Sequence, residues 1–265
     1  MVTEPVALRR VRFIWPVLDL TVRLILAQRF FVSGVLKVAN WPAALYLAEH
    51  EYRLSGMSAV SAAYTGASIE LVCPVLLAAG VLTRYAALPL LILSLLIQVS
   101  YNPVDWQLYS AALLGWYAIH GAGPLSLERA LPPVARVQRC AHWLRLRLTA
   151  PYLALVRVWI SLALLLAGLQ AKIVFGQSIL RAQILLPVSS VAQWPALLNL
   201  GCGVLLLVGL ATRYVAMVMI IASAAAAMMH SSYFDDVCFA AMLAVLAMFG
   251  GGRPSADQLL GTRAN

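Results

Sequence analysis

The chain has 265 residues, of which 63% are hydrophobic and 11% are charged, and its formal net charge is +9. A soluble domain of this size could not cover so much apolar surface with so few charges, so the composition excludes a soluble protein and predicts helices in lipid. The apolar runs lack the short alternating segments of a membrane β-barrel. Arginines of such proteins collect at cytoplasmic helix ends, so the positive charge does not indicate nucleic-acid binding.

Eight apolar runs follow one another along the chain, and each is predicted to span the bilayer. By residue number they are 17–38, 64–82, 86–100, 108–119, 152–171, 195–211, 215–229 and 237–249. A spanning helix needs about 20 residues, so the shorter runs must extend into the polar turns beside them. We therefore predict an all-α, polytopic membrane protein built as two tandem four-helix bundles.

The distribution of arginine predicts the orientation. One side of the predicted membrane carries Arg9, Arg10, Arg12, Arg84, Arg129, Arg136, Arg139, Arg145, Arg147, Arg213, Arg253 and Arg263. The other side carries only Arg53 and Arg181. Because positive loops stay in the cytoplasm, both termini are predicted to be cytoplasmic.

A short phrase occurs twice, as GVLTRY at Gly80–Tyr85 and as GLATRY at Gly209–Tyr214. At the same offset of 129 positions, residues 70–131 align with residues 199–260 without a gap. Self-similarity over this length indicates a duplicated unit. The phrase itself is interpreted as a structural turn, in which Thr caps the next helix and Arg holds carbonyl groups or lipid phosphate.

The duplication divides the chain into three predicted segments. Residues 1–131 form the first four-helix bundle, 132–150 form a basic amphipathic linker, and 151–265 form the second bundle. The linker is expected to lie on the cytoplasmic face as a helix that contacts anionic lipid, or else to dock a partner. Residues 40–58, on the opposite side, are expected to form a short helix or cap.

Charged residues inside the predicted spans are the first candidates for a site, since each costs about 2.5–3.5 kcal/mol at mid-bilayer without a partner. Arg29 lies about 18 Å from the cytoplasmic start of its helix, and Glu70 about 21 Å from the same face. The second copy has Ala163 and Asn199 at these places, so both charges are absent together. An Arg29–Glu70 ion pair is predicted. It either fixes helix packing or shapes a pocket for a quinone head group, an oxyanion or a proton.

The other candidate ligand-binding residues are Gln28, Gln98, Lys37, Lys172, His230, Asp235 and Asp236. The glutamines are expected to line the pocket. The two lysines, the only ones in the chain, each end the first helix of a copy, where they either extend to lipid head groups or face an anionic ligand. The histidine and the two aspartates can shuttle protons, but without a second histidine nearby they predict no metal site.

Motifs for intrinsic redox cofactors are absent from the sequence. The four cysteines form no CxxC pair, and no haem, flavin, nucleotide or iron–sulfur motif appears. We therefore expect the protein to carry no cofactor of its own, with a diffusible quinone as the candidate redox partner. No residue is assigned a catalytic role.

The two copies share an ordered set of motifs. The first copy has Arg23, Gly34, Lys37, Glu70, Arg84 and Gly121-x-Gly123-x-x-Ser126-x-Glu128; the second has Arg157, Gly168, Lys172, Arg213, His230 and Gly250-x-Gly252-x-x-Ser255-x-Asp257. In this order the motifs resemble the DoxX-like family (DoxX/DoxD) of four-helix membrane proteins. The second copy departs from the family by having Asn199 in place of Glu70, and the first by having Tyr101 in place of His230. Arg23, Arg157 and the repeated turns are interpreted as structural.

The resemblance implies a membrane subunit of a redox system in the bacterial inner membrane, because DoxX/DoxD relatives are linked to thiosulfate oxidation with quinone. MauE-like relatives are linked to enzyme maturation, so the alternative is a non-enzymatic anchor or assembly factor for a periplasmic protein partner. A small-solute or ion transporter is a further alternative, since intramembrane charges and repeats also suit transport. Missing cofactor motifs favour the anchor, and a deep ion pair favours the redox subunit or the transporter.

Overall fold

A computed structural model describes residues 6–50, 57–100, 105–129, 135–170, 196–229 and 233–252. Throughout these residues the regular secondary structure is helical, which confirms the predicted all-α fold for the described part of the chain. The helices are α1 (Val6–Ala39), α2 (Trp41–His50), α3 (Ala59–Ala79), α4 (Thr83–Ser100), α5 (Asp105–His120), α6 (Ala135–Gln170), α7 (Ala196–Val208), α8 (Thr212–Met229) and α9 (Tyr233–Phe249), with a 3₁₀ turn at Leu127–Arg129.

Among the described residues, three stretches are long and apolar enough to cross a membrane: α3, α4 and the part of α6 from His142 to Leu169. Shorter apolar stretches lie in α7, α8 and α9. Many large hydrophobic side chains on these helices are exposed, among them Val75, Ile92 and Leu155. Such surfaces suit lipid rather than water, so the protein is a membrane protein.

The helices α1 and α6 are much longer than the others, with 34 and 36 residues. At about 1.5 Å per residue each exceeds 50 Å, whereas the hydrocarbon core of a bilayer is about 30 Å thick. Both helices are therefore longer than one perpendicular crossing of that core requires. The predicted boundary between the linker and the second bundle, at residue 150, falls inside α6, which continues through Pro151.

The chain divides into two compact units. The N-terminal unit contains the described residues between 13 and 103 and between 113 and 141. The C-terminal unit contains those between 142 and 252, together with the described residues up to 12 and between 104 and 112. The helix α5 thus contributes its first half to the C-terminal unit and its second half to the N-terminal unit.

A helix forms in the segment after α1, as expected for residues 40–58. The side chain of Asn40 accepts a hydrogen bond from the backbone N–H of Ala43 at 3.4 Å, which caps the start of α2. The ring of Trp41 then lies 4.4 Å from the ring of Tyr64, between centroids, and this contact joins α2 to α3. Ser58 caps α3 in the same way, because its Oγ accepts from Ser61 N–H at 3.2 Å.

The repeated phrase folds as the same turn in both places. Gly80 has φ 69° and Gly209 has φ 73°, a conformation that glycine adopts without a steric penalty. In each unit the glycine N–H and the next N–H bond back to carbonyls three to five residues earlier, so both helices end in a Schellman motif. The interpretation of the phrase as a structural turn is confirmed.

Two details of the turn decide what its polar residues do. The Oγ1 of Thr83 is buried and makes no hydrogen bond to the residues that the structure describes, and Thr83 is itself the first residue of α4, so the predicted capping of α4 by this threonine is wrong. Arg84 Nη2 donates to the carbonyl oxygen of His120 at 3.1 Å, which agrees with the predicted role in holding carbonyl groups.

Candidate functional site

The carboxylate of Glu70 is the centre of a buried polar site in the N-terminal unit. Glu70 is 1% exposed, and its Oε1 accepts a hydrogen bond from Lys37 Nζ at 2.6 Å. This contact is also an ion pair. Its other oxygen, Oε2, is buried and has no hydrogen-bond donor of standard geometry within the described part of the chain, although the Ser33 hydroxyl of α1 also interacts with the carboxylate. The site therefore has one buried ion pair and a second carboxylate oxygen that the ammonium does not bind.

The predicted partner of Glu70 was Arg29, and this pairing is wrong. Glu70 forms its ion pair with Lys37 instead, while the side chains of Arg29 and Gln28 are exposed. The close approach of α1 to α3 occurs at Gly34, where an added Cβ would lie 3.0 Å from the backbone carbon and the Cβ of Glu70. At 100° per residue, Arg29 stands about 140° from Gly34 around α1, and Lys37 only about 60°. Lys37 therefore shares the face that meets α3.

Side-chain direction explains how Lys37 reaches the carboxylate. Side chains of a helix point towards its N-terminus, and α1 and α3 run in opposite directions. Lys37 lies three residues beyond Gly34, about 4.5 Å along α1, so its ammonium turns back towards the level of Glu70. Because Glu70 points towards the start of α3, the two groups approach each other. Arg29, on the other side of Gly34, points away from that level.

A cavity of about 60 Å³ lies beside this ion pair. It is lined by Lys37 from α1 and by side chains from α2, α3 and α4, which are apolar except for Ser100. Gly66, one helical turn before Glu70, also lines it, and a Cβ added there would meet no atom within 4 Å. A water molecule needs about 10–15 Å³ by this measure, so the cavity holds a few waters or the edge of a small ring.

The remaining predicted site residues are not brought together at this cavity. Gln98 is buried on α4 but does not line the cavity, whereas its neighbour Ile97 does. Asp236 is buried in the C-terminal unit, at 3% exposure. Lys172 and His230 lie outside the described residues, and so does the side chain of Asp235. Among the described residues no group of three or more His, Cys, Asp or Glu side chains could hold a metal ion.

A second polar network, at Asp19 and Arg23 of α1, was not found from the sequence. The Arg23 side chain is fully buried, and its Nε lies 3.1 Å from Asp19 Oδ2. Its Nη1 donates to the carbonyl oxygens of Leu77 and Ala78 at 3.5 Å, and its Nη2 donates to that of Leu125. Arg23 therefore joins α1 to the end of α3 and to the loop after α5. The i, i+4 spacing of Asp19 and Arg23 was the available signal.

The Gly-x-Gly motif after α5 serves this network. Gly121 has φ 72°, and the N–H of Gly123 donates to Asp19 Oδ2 at 3.0 Å. A Cβ at Gly123 would collide with the same carboxylate, so only glycine allows the loop to come this close. Tyr117 OH adds a hydrogen bond to the backbone oxygen of Asp19 at 3.1 Å. The network is structural, as the sequence predicted for Arg23.

Apolar helices with a buried ion pair define a helical membrane protein that holds a polar site inside one unit. The DoxX family model matches residues 18–103, a range that includes Arg23, Lys37, Glu70 and Arg84. The family predicted from the motifs thus matches this part of the chain, and the match does not extend to the predicted second copy. Neither the curated proteins nor the solved structures contain a match to the chain.

Proposed function

We propose that this protein is the membrane subunit of a redox system and binds a quinone head group beside the Lys37–Glu70 pair, without a redox cofactor of its own. The observation that carries the proposal is the buried Lys37–Glu70 ion pair, next to an apolar cavity that Lys37 lines. A quinone carbonyl accepts a hydrogen bond from an ammonium group, and a quinol hydroxyl donates one to a carboxylate. Apolar walls suit the ring between them.

The size of the cavity limits how such a ligand would bind. A volume of about 60 Å³ accommodates the polar edge of a ring but not a whole isoprenoid quinone. Leu96 lines the cavity and is 37% exposed, so the cavity wall continues onto the surface that faces lipid. In the proposed complex the head group enters towards Lys37, and the tail remains in the bilayer.

The proposal includes the arrangement predicted from the sequence. The helices α1 and α3–α9 would give eight spans, with a second DoxX-like copy in residues 151–265 and both termini in the cytoplasm of a bacterium. Support comes from the gapless repeat of residues 70–131 and from the shared geometry of the turns at Gly80 and Gly209. Lys37 then lies towards the outer face of the inner membrane, and α2 lies outside it.

A second candidate function is a membrane anchor or assembly factor for a periplasmic partner. The favouring observation is an exposed aromatic pair on α2, where the ring of Tyr46 stacks on His50 with 4.3 Å between centroids. Tyr46 is 59% exposed. Exposed aromatic side chains of this kind are common anchors of protein interfaces. In this role the Lys37–Glu70 pair would only fix helix packing.

Quinone binding by the purified protein in nanodiscs separates the two candidates. A short-chain ubiquinone analogue is titrated, and quenching of tryptophan fluorescence is measured for the wild type, Gly66→Leu and Gly201→Leu. Gly201 is the matched control, since a Cβ there also meets no atom within 4 Å, but it lies on α7, which is not among the helices that line the cavity. We expect Gly66→Leu to weaken binding at least about tenfold, or about 1.4 kcal/mol, with unchanged thermal stability.

Two results would contradict the redox proposal. One is a wild-type protein that does not bind the quinone analogue at all. The other is equal binding by Gly66→Leu and Gly201→Leu, because the ligand would then sit elsewhere. Loss of binding to a periplasmic protein after Tyr46→Ala, with no quinone bound by the wild type, would instead support the anchor.

A further inference from the structure

The exposed face of α1 carries one amide among mainly apolar side chains. Seven exposed residues of this helix follow one another at alternating steps of four and three, the a and d spacing of a heptad: Val17, Thr21, Leu24, Gln28, Phe31, Val35 and Val38. We call these residues the α1 seam, and Gln28 stands at its centre. Gln28 and Lys37 are nine residues apart and therefore stand about 180° apart around the helix. The seam thus faces away from the Lys37–Glu70 pair.

Two contacts with α3 show the level at which Gln28 lies. On one side of it, Arg23 donates to the carbonyl oxygen of Leu77, near the end of α3. On the other side, Gly34 meets Glu70 in the middle of α3. Gln28 lies between these contacts, beside a helix that is long and apolar enough to cross a membrane. With α1 running through the bilayer as proposed above, its amide therefore faces the hydrocarbon region.

The two polar side chains of the seam differ in how their hydrogen bonds are satisfied. Thr21 Oγ1 donates to the backbone oxygen of Val17 at 2.9 Å, so this hydroxyl needs no partner outside its own helix. The Gln28 amide is exposed and forms no hydrogen bond within the described part of the chain. An amide in hydrocarbon is costly without a partner, since lipid tails neither donate nor accept hydrogen bonds. Gln28 therefore favours a partner from outside its unit.

The second copy presents the same exposed face without the amide. At the offset that relates Arg23 to Arg157, the seam corresponds to Pro151, Leu155, Val158, Leu162, Leu165, Leu169 and Lys172. Leu165 is half-buried, and the other apolar members are exposed. Leucine thus stands in place of both Thr21 and Gln28. The fold does not require an amide at this place, so the glutamine is an addition of the first copy.

We infer that the α1 seam is the interface of a homodimer, in which the Gln28 amides of two copies hydrogen-bond to each other inside the bilayer. Two copies inserted in the same direction are related by a twofold axis along the membrane normal, so the seam meets its own counterpart in parallel. An amide is self-complementary, because the carbonyl oxygen of each copy accepts from the N–H of the other. Amides join membrane helices in this way, and one polar residue at an a position fixes the register of the pair.

The charge next to the amide does not oppose this pairing. Arg29 stands about 100° further around α1 than Gln28, so the two guanidinium groups of a dimer lie at the edge of the interface. Long cationic side chains at such an edge extend along the helix towards the head groups. The inference rests on the proposed course of α1 through the bilayer but not on quinone binding.

Dilution in lipid tests the inference on the full-length protein. Fluorescently labelled protein is reconstituted into phospholipid vesicles at decreasing protein-to-lipid ratios, and single-molecule photobleaching measures the dimer fraction. Gln28→Leu and Thr21→Leu form a matched pair, because each introduces the leucine that the second copy has. We expect Gln28→Leu to raise the dissociation constant about tenfold, or about 1.4 kcal/mol, and Thr21→Leu to leave it nearly unchanged. Gln28→Asn keeps an amide and is expected to retain the dimer.

Three results of the dilution would overturn the inference. They are a wild-type protein that is monomeric at every ratio, equal dissociation constants for the wild type and Gln28→Leu, and a Thr21→Leu protein that dissociates as readily as Gln28→Leu. Quinone binding by Gln28→Leu should equal that of the wild type, because the seam faces away from Lys37. A failure of the dimer and a failure of the quinone site are therefore distinguishable.

Disulfide cross-linking in the same vesicles locates the interface. Leu24→Cys places a thiol on the seam one turn before Gln28, and Val158→Cys places one at the corresponding position of α6 as the control. Copper phenanthroline and dioxygen oxidise two thiols to one disulfide, and a non-reducing gel separates the covalent dimer from the monomer. We expect a dimer from Leu24→Cys, whereas Val158→Cys should give no more than the wild type with its own cysteines. A dimer from Val158→Cys alone would overturn the inference, because the interface would then lie on the second unit.

Discussion

The two units bury an arginine at the same place in their first helices, but they surround it differently. Arg23 has an aspartate four residues earlier, whereas Arg157 has Leu153 at that position. Arg157 is 4% exposed, and it has polar or ring contacts of its own, although its Nε and Nη1 atoms make no hydrogen bond within the described residues. A glycine loop packs over both arginines, since a Cβ at Gly251 would lie 2.9 Å from Arg157 Cδ.

The comparison separates what the shared architecture needs from what one unit has added. The arginine and the glycine loop occur in both units. The shared architecture therefore requires a long side chain on the first helix of each unit, where the loop can cover it. The Asp19 carboxylate occurs in one unit only and supplies a buried ion pair and an acceptor for the loop N–H. We therefore expect the N-terminal unit to depend on its polar contacts more strongly than the C-terminal unit does.

The largest expected effect comes from Asp19→Leu, which gives the N-terminal unit the residue found at position 153. The change leaves the Arg23 guanidinium buried without its carboxylate and removes the acceptor of Gly123 N–H, so we expect a loss of about 3–5 kcal/mol in the free energy of unfolding. Denaturation in mixed micelles measures it. A loss below about 0.5 kcal/mol for Asp19→Leu would contradict the assigned role of the network.

The next effect concerns the ion pair that distinguishes Glu70 from Asn199. Lys37→Met leaves a buried carboxylate without its cation, and we expect a loss of about 2–3 kcal/mol in the free energy of unfolding. The double variant Lys37→Met, Glu70→Gln has no buried charge at this place and should regain most of the stability. Arg29→Met is the control on the exposed face of α1. If Arg29→Met were as destabilising as Lys37→Met, the pairing of Glu70 with Lys37 would be in doubt.

These two networks show how far the sequence could predict the molecule. The helical fold, the repeated turn and the match of residues 18–103 to the DoxX family followed from hydrophobic runs and short motifs, which depend on local properties. Glu70 and Lys37 were both recognised as candidates, but their pairing was missed because the depths of Arg29 and Glu70 were compared without the helical face or the side-chain direction. Asp19 was missed because its role depends on a loop that lies 104 residues later, at Gly123.

A smaller effect is expected where α1 approaches α3. Gly34→Ala places a Cβ 3.0 Å from the backbone of Glu70, so the helices must move apart, at a cost of about 1–2 kcal/mol. The same movement lengthens the contact between Lys37 and Glu70. Gly66→Ala is the matched control on α3, because its added Cβ meets open space. Thermal unfolding of both variants in the same detergent measures the difference, and equal midpoints would show that α1 and α3 are not in tight contact.

The smallest effect should be the same in both units, because it concerns the turn that they share. Leu82 and Ala211 have φ of 48° and 52°, a region in which residues other than glycine are strained. Leu82→Gly and Ala211→Gly relieve this strain, although glycine loses more backbone entropy on folding, so each is expected to stabilise the protein by at most about 1 kcal/mol. Leu210→Gly in the same turn is the control, since its φ is not positive and it should destabilise. A gain at Leu82 together with a loss at Ala211 would mean that the two turns differ in energy despite their common geometry.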